Sequence, residues 1–161
     1  MFVAHARVAL RYSICNWGRP DSLEGPPWQW GPGIAAMWRT TADIYPTYHR
    51  VIAIMDDMAT LSSTPRASGH NDPDMLEVGV NGTLLNVPFF PATSLTPKEA
   101  QLHFVMWAML AAPLIIGADL RSAPEWVVDI LGHEEVIEID QDPLFQQATM
   151  IRDDFRGRHW R

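Results

Sequence analysis

Met37-Trp38-Arg39-Thr40-Thr41-Ala42-Asp43-Ile44 is the stretch whose reading decides the fold: an apolar run breaks off at a cation, and a carboxylate follows four positions on. Enzymes built on parallel strands keep their chemistry where the strands end. The same pattern recurs on either side. Residues 10–15 run into Asn16-Trp17-Gly18, and Pro113-Leu114-Ile115-Ile116-Gly117-Ala118 runs into Asp119. Apolar strands with polar ends, spaced by helical stretches, predict one face of a parallel α/β barrel.

Working outward, residues 34–38 read as a short strand buried on both faces. Residues 8–15 read as another, stopped by the turn-forming Asn16 to Gly18. The prolines and glycines of 19–32 predict an irregular loop, with Trp28 and Trp30 as anchors. After Pro46, Val51, Ile54, Met55 and Met58 recur at three- and four-residue intervals with Asp56 and Asp57 off the stripe, which predicts an amphipathic helix over 47–61. Residues 62–69 read as a loop, Asn71-Asp72-Pro73-Asp74 as a tight turn beside a short apolar piece at 75–78, and 81–94 as a long surface loop.

Thr96-Pro97-Lys98-Glu99 spells a helix start, with a capping hydroxyl, a first-turn proline and a glutamate placed to reach back. Ala100, Phe104, Trp107, Ala108 and Ala111 form the expected buried face. A strand at 114–118 follows, and Ser122-Ala123-Pro124-Glu125 repeats the capping signature before a helix ending at Gly132. This alternation is that of a parallel α/β fold. A complete eight-stranded barrel takes about 250 residues, so a chain of 161 residues is expected to be part of one.

A hydrophobic content of 47% with seven tryptophans predicts a substantial core. The net charge of -7 disfavours a nucleic-acid backbone or an anionic membrane as partner. The uncharged stretch 104–118 is too short for a bilayer span and is split by Pro113. The first ten residues, interrupted by His5 and Arg7, do not read as a signal peptide. Asn81-Gly82-Thr83 is a glycosylation sequon, meaningful only in an exported protein. Cys15, the single cysteine, reads as a buried thiol or as half of a disulfide.

Asp43 is open to two readings, an ion-pair partner or helix cap on a barrel rim, or a catalytic carboxyl. Arg39 offers a planar fork of donors suited to sugar hydroxyls or a carboxylate. Trp17, Trp28, Trp30 and Trp38 supply flat faces that stack on sugars or simply fill a core. Asp72 and Asp74 flank Pro73, so one reads as structural and the other as a ligand contact. Paired carboxylates at strand ends are the equipment of glycoside hydrolysis, in which one acid protonates the leaving oxygen and another carboxylate attacks or activates water. His70, His103 and His133 lack metal-ligand spacing, and neither a nucleophile elbow nor a phosphate-cradling glycine loop occurs, so no metal or cofactor is expected.

Five segments together, 12–18, 38–44, 71–79, 110–120 and 139–144, closely resemble the eukaryotic-type alpha-galactosidase (melibiase) family, glycoside hydrolase family 27, in the family's order. The resemblance implies retaining hydrolysis of terminal alpha-galactosides on a (β/α)8 TIM barrel, of which this chain is similar to strands 5 to 8 with their helices over residues 1–145. Residues 146–161 then correspond to a trailing segment leading toward a C-terminal β-sandwich. By position Asp43 matches the general acid/base, Arg39 a substrate-contacting arginine, and Asn16, with Trp17 beside it, a sugar-binding position. Asp74 and Met75 match residues lining the galactose pocket.

The family's nucleophile lies on the fourth strand, in an Asp-Asn-Cys-like segment that has no counterpart here. The resemblance therefore implies an isolated chain without turnover, and a disulfide partner for Cys15 outside this sequence. His70 stands where the family usually has a tryptophan before the Asn-Asp-Pro-Asp turn, and the loop 80–94 is longer than the resemblance implies. An alpha-N-acetylgalactosaminidase, or a non-catalytic product, either a truncated remnant or a half-barrel that persists by pairing with another chain, are the alternatives. A secreted, lysosomal or vacuolar destination is the family expectation.

Overall fold

The computed structural model describes residues 11–19, 24–63, 69–82, 93–154 and 157–160. Its centre is a parallel sheet of three strands in sequence order: β1 (Ser13–Ile14), β2 (Met37–Arg39) and β3 (His70–Asp72). Ser13 pairs with Met37 and Met37 with His70, while Ile14, Trp38 and Asn71 form the next rung and Arg39 faces Asp72. A parallel bridge, Leu76 to Ile116, adds a fourth extended segment among the described residues. Consecutive parallel strands require a crossover between each pair, and α1 (Pro27–Trp30) and α2 (Tyr48–Ala59) supply two of them. Among the described residues the further α-helices are α3 (Pro97–Met109), α4 (Glu125–Leu131) and α5 (Glu134–Asp140), with a 3-10 turn at Leu120–Ser122, and an antiparallel pair, β4 (Met150–Asp154) with β5 (Gly157–Trp160), closes the described chain.

Helix α2 begins where Thr47 accepts a hydrogen bond from the Arg50 amide, and it buries Val51, Ile54, Met55 and Met58, the stripe its sequence predicts. Helix α3 begins with the full reciprocal cap: Thr96 receives the Glu99 amide and Glu99 receives the Thr96 amide. That geometry holds the exposed Glu99 carboxyl below the usual range, chiefly through the Thr96 backbone hydrogen bond. One apolar cluster joins the α2 stripe to Phe104, Met106, Trp107 and Leu110, with Leu76, Val78 and Val127. A smaller one gathers Ile14, Ala35 and Trp38 under Trp28 and Trp30, so Trp28 and Trp30 are the anchors expected of their loop.

Several expectations are corrected. The strand expected at 34–38 is shifted to Met37–Arg39, because Ile34 and Ala35 are tied back to the Gly31 carbonyl in a turn. The tight turn expected at 71–74 begins later: His70–Asp72 is a strand, its edge satisfied by β2, and the chain turns only after Asp72. The strand at 114–118 reduces to one bridge. Ser122 does not cap α4, whose N-cap is Pro124 with no side-chain bond. Trp28 and Trp30 belong to a short helix rather than an irregular loop. Ala111 is buried but lies beyond α3, at φ 48. Cys15 is exposed, not buried, and it is a free thiol; with no second cysteine in the sequence, the disulfide implied by resemblance is not formed within this chain. The readings that fall on 1–10, 20–23, 64–68 and 83–92, including Thr83 of the sequon, lie outside the described residues.

Candidate active site

Arg39 is the last residue of β2, and its register partner Asp72 is the last residue of β3, so both chains leave the sheet at the same level. From there two loops converge on one guanidinium. Arg39 Nη2 lies 3.2 Å from Asp43 Oδ1 and 2.7 Å from Asp74 Oδ2. It also donates to the Thr41 carbonyl at 3.1 Å. The arginine is 8% exposed, so its charge is held by these groups rather than by water.

The two carboxylates differ in setting. Asp43 has a side chain 51% exposed, Asp74 one that is 14% exposed. Asp74 adopts φ 95, a conformation that costs a non-glycine residue energy unless its surroundings impose it. Those surroundings are explicit. Its Oδ2 accepts from the Ile44 amide at 2.8 Å, its Oδ1 from the Met75 amide at 2.8 Å, and its own amide donates to Asp72 Oδ1 at 2.9 Å. The Asp74 carbonyl accepts from the Trp107 indole at 2.8 Å. Asp74 thus ties the loop after β2 to the loop after β3.

The loop carrying Asp43 is fixed from its other side. Arg50, one turn into α2, donates from Nε to the Asp43 carbonyl at 2.9 Å and from Nη2 to the Ala42 carbonyl. Thr41 donates its hydroxyl to the Pro73 carbonyl at 3.2 Å, and Thr40 donates to the Asp72 carbonyl at 3.1 Å. Asp43 therefore projects into solvent from a pinned backbone. The helix-cap reading fails, since Thr47 caps α2; the ion-pair reading describes its present contact.

Asn16 and Trp17 stand at the end of β1. Asn16 Oδ1 accepts the Gly18 amide at 3.2 Å, making an Asx turn, and Trp17 is 46% exposed at φ 60. Among the described residues, no hydrogen bond or ion pair joins the side chain of either to the Arg39 cluster. The link is Gly18: a Cβ there would stand 2.0 Å from the Thr40 carbonyl oxygen, so the turn rests on the residue after Arg39 and only glycine permits it. Met75 is 38% exposed, and its Sδ lies over Gly117 on the next strand segment.

Beneath the cluster the carboxyls are perturbed. Burial raises the Asp72 carboxyl, against the Asp74 amide and Arg39, which lower it. Glu77, 2% exposed, is pushed up to about 7 by burial and by nearby Asp74. His103, fully buried, is pushed down to about 3 by burial, and its Nε2 accepts the Glu77 amide at 2.9 Å. The sequence alone does not single out Glu77 or assign His103 this role, and it reads Trp107 as core. The available signal is that His103 and Trp107 are four apart on α3, which puts two polar-tipped rings on one helix face. A cavity of about 470 Å³, lined by Gly79, Leu95, Asp119 and Trp126 among others, lies one strand further along and includes none of the expected site residues. Among the described residues, no group of three or more His, Cys, Asp or Glu is placed to hold a metal.

The model of the alpha galactosidase A family, Melibiase_2, matches residues 12–142. The chain is 36% identical over 144 residues to alpha-galactosidase 2 of Arabidopsis thaliana, covering 89% of this chain and 32% of that protein. It is 37% identical over 150 residues to alpha-galactosidase A of Cellvibrio japonicus, covering 86% and 33%. Its fold superposes on alpha-galactosidase I of Mortierella vinacea with a TM-score of 0.77 at 28% identity, covering 94% of this chain and 39% of that one. A Saccharomyces cerevisiae alpha-galactosidase solved with raffinose gives 0.71 at 28% identity, covering 94% and 37%. The chain thus spans about a third of the length of the curated relatives it matches. A family model running from the residue before β1 past the end of α5, with the arc of parallel strands superposing on part of a TIM barrel, places this chain in the alpha-galactosidase (melibiase) family of glycoside hydrolases.

Proposed function

We propose that this chain carries the acid/base side of an alpha-galactosidase active site, on strands 5 to 8 of the barrel over residues 1–145, with residues 146–161 leading toward a β-sandwich. The observation that carries the reading is the shared guanidinium. Arg39 holds Asp43 and Asp74 at 3.2 and 2.7 Å from the ends of neighbouring parallel strands, where a barrel enzyme does its chemistry. Asp43, the half-exposed carboxyl, protonates the glycosidic oxygen as it leaves and then takes a proton from water. Asp74 and Arg39 bind sugar hydroxyls, Met75 and Trp17 cover apolar ring faces, and Asn16 accepts or donates at the ring's edge.

Retention of configuration needs a second carboxylate about 5 Å from the first. Family resemblance puts it on a fourth strand with no counterpart in this sequence, so the chain by itself is inactive under this reading. The substrates are terminal alpha-galactosides of the raffinose type, and the destination is extracellular, lysosomal or vacuolar. No cofactor enters the reaction.

To test this, the first four strand–helix units of the Arabidopsis thaliana relative are appended ahead of Tyr12 and hydrolysis of a chromogenic alpha-galactoside is followed. Activity in the joined protein, absent from either half and lost on Asp43→Asn, is expected. An active isolated chain, or a joined protein indifferent to Asp43→Asn, overturns the assignment. Comparison with the N-acetylated substrate separates the galactosidase from an alpha-N-acetylgalactosaminidase.

A second reading, a non-catalytic half-barrel that pairs with another chain, is favoured by the exposure of Tyr12, Ile115 and Ile116 at 58, 46 and 41% on the first and last strand segments. Such edges present unpaired backbone and apolar side chains. A joined protein that folds but never turns over, together with a dimeric isolated chain, supports it.

A further inference from the structure

Asp74 is the hub of the candidate site, and its positive φ is braced from across the fold, on α3. Trp107, fully buried, donates its indole N–H to the Asp74 carbonyl at 2.8 Å. His103, also fully buried and one turn earlier, accepts the Glu77 amide on Nε2 at 2.9 Å. The two rings meet edge to face, with centroids 4.0 Å apart and planes at 87°. One helix face thus holds the segment 74–77 at two points, one ring donating to a carbonyl and the other accepting from an amide.

The polarity of this clamp matters. Residues 74 and 77 lie beyond the hydrogen-bonded part of β3, so their backbone groups are not satisfied by the β2–β3 ladder. A buried carbonyl or amide left unpaired is costly, and a rotation of the backbone through residues 73–77 would break both bonds. No side chain but tryptophan puts a donor at the tip of so large an apolar ring, and Nε2 can accept the Glu77 amide only in the neutral imidazole.

We propose that Trp107 and His103 are positioning residues for the active site: by holding the backbone at Asp74 and Glu77 they aim the Asp74 carboxylate at Arg39 and at the Ile44 amide. Neither ring touches substrate. The inference rests on the reading of Arg39, Asp43 and Asp74 as the site, but the clamp itself is a property of this chain and is measured without turnover.

The test is amide hydrogen exchange, resolved by residue, in the full chain with Trp107→Phe, which keeps an aromatic ring and removes the donor. The Ile44 and Met75 amides, which bond the two Asp74 carboxylate oxygens, should exchange about tenfold faster, while Val51 and Ile54 of α2 should keep their rates. His103→Gln, whose Oε1 can accept near the Nε2 position, should retain more protection at Glu77 than His103→Ala. Unchanged Ile44 and Met75 rates, or an equal rise across α2, overturn the proposal. If Trp107→Phe does not fold, the unmodified chain decides: an indole proton of Trp107 exchanging as fast as that of the exposed Trp17 overturns it, and strong protection supports it. Loss of activity in the joined barrel with normal exchange would count against the clamp without touching the assignment of Asp43.

Discussion

Arg39 Nη2 and Asp74 Oδ2 meet at 2.7 Å between two loops that leave neighbouring strands, and both side chains are largely withdrawn from water. A pair in this setting is poor evidence of net stability, because both charges have given up hydration. Its consequence is sharper when one partner is removed, since the other is left buried and unpaired. Arg39→Ala should lower unfolding stability by about 3 kcal/mol, read as a fall in the urea midpoint. Arg39→Lys should recover only part of the loss, because a shorter side chain must bring its ammonium to where Nη2 now meets Asp43, Asp74 and the Thr41 carbonyl.

Asp43 shares the same arginine but is half exposed, so function and stability should separate at this position. Asp43→Asn should change unfolding stability by no more than about 0.5 kcal/mol, as expected for an exposed ion pair. The same substitution in the joined barrel should abolish turnover of an unactivated galactoside. Asp74→Asn, in contrast, removes the charge facing Arg39 and should cost stability as well; denaturation curves of the two variants make the comparison.

Gly18 carries the turn that presents Asn16 and Trp17. Gly18→Ala would place a methyl 2.0 Å from the Thr40 carbonyl oxygen and force alanine to φ 66. Backbone must move on one side or the other. A loss of about 2 kcal/mol is expected, with amide chemical-shift changes concentrated at residues 16–18 and 39–41.

Glu77 and His103 act oppositely on stability as pH changes. The folded Glu77 carboxyl, at about 7 rather than 4.5, binds a proton more readily than in the unfolded chain, so its contribution is present below about 4.5 and is lost as pH rises through 7. His103, at about 3 rather than 6.5, is held neutral in the fold, so its contribution is present above about 6.5 and is lost as pH falls toward 3. Between about 4.5 and 6.5 the two slopes oppose each other. Glu77→Gln removes one of them: relative to the parent, the variant should gain on the order of 2 kcal/mol as pH rises from 4.5 to 7. Denaturant midpoints of both proteins across that range measure the difference.

The elements that could be read without a structure are those whose chemistry is local. The Val51, Ile54, Met55, Met58 stripe and the Thr96–Glu99 cap appear where their spacing puts them, because a helix is formed by contacts three and four residues apart. Strand limits were less legible: Asn71 and Asp72 have the composition of a turn, and only pairing with Trp38 and Arg39 makes them a strand. Helix α5 and the β4–β5 pair had no comparable local signal in the chain.

The chain by itself determined the resemblance to the family and the parallel alternation, and it offered Asn16, Arg39, Asp43 and Asp74 as candidates, since motif order and period are properties of a linear string. Only the tertiary structure decided that Asp74 shares a guanidinium with Asp43, that Trp107 and His103 brace the same loop from another helix, and that Cys15 is an exposed thiol. The first two meetings join groups distant along the chain, and no local preference encodes them; the pairing of β2 with β3 and the reach of α3 to residues 74 and 77 do.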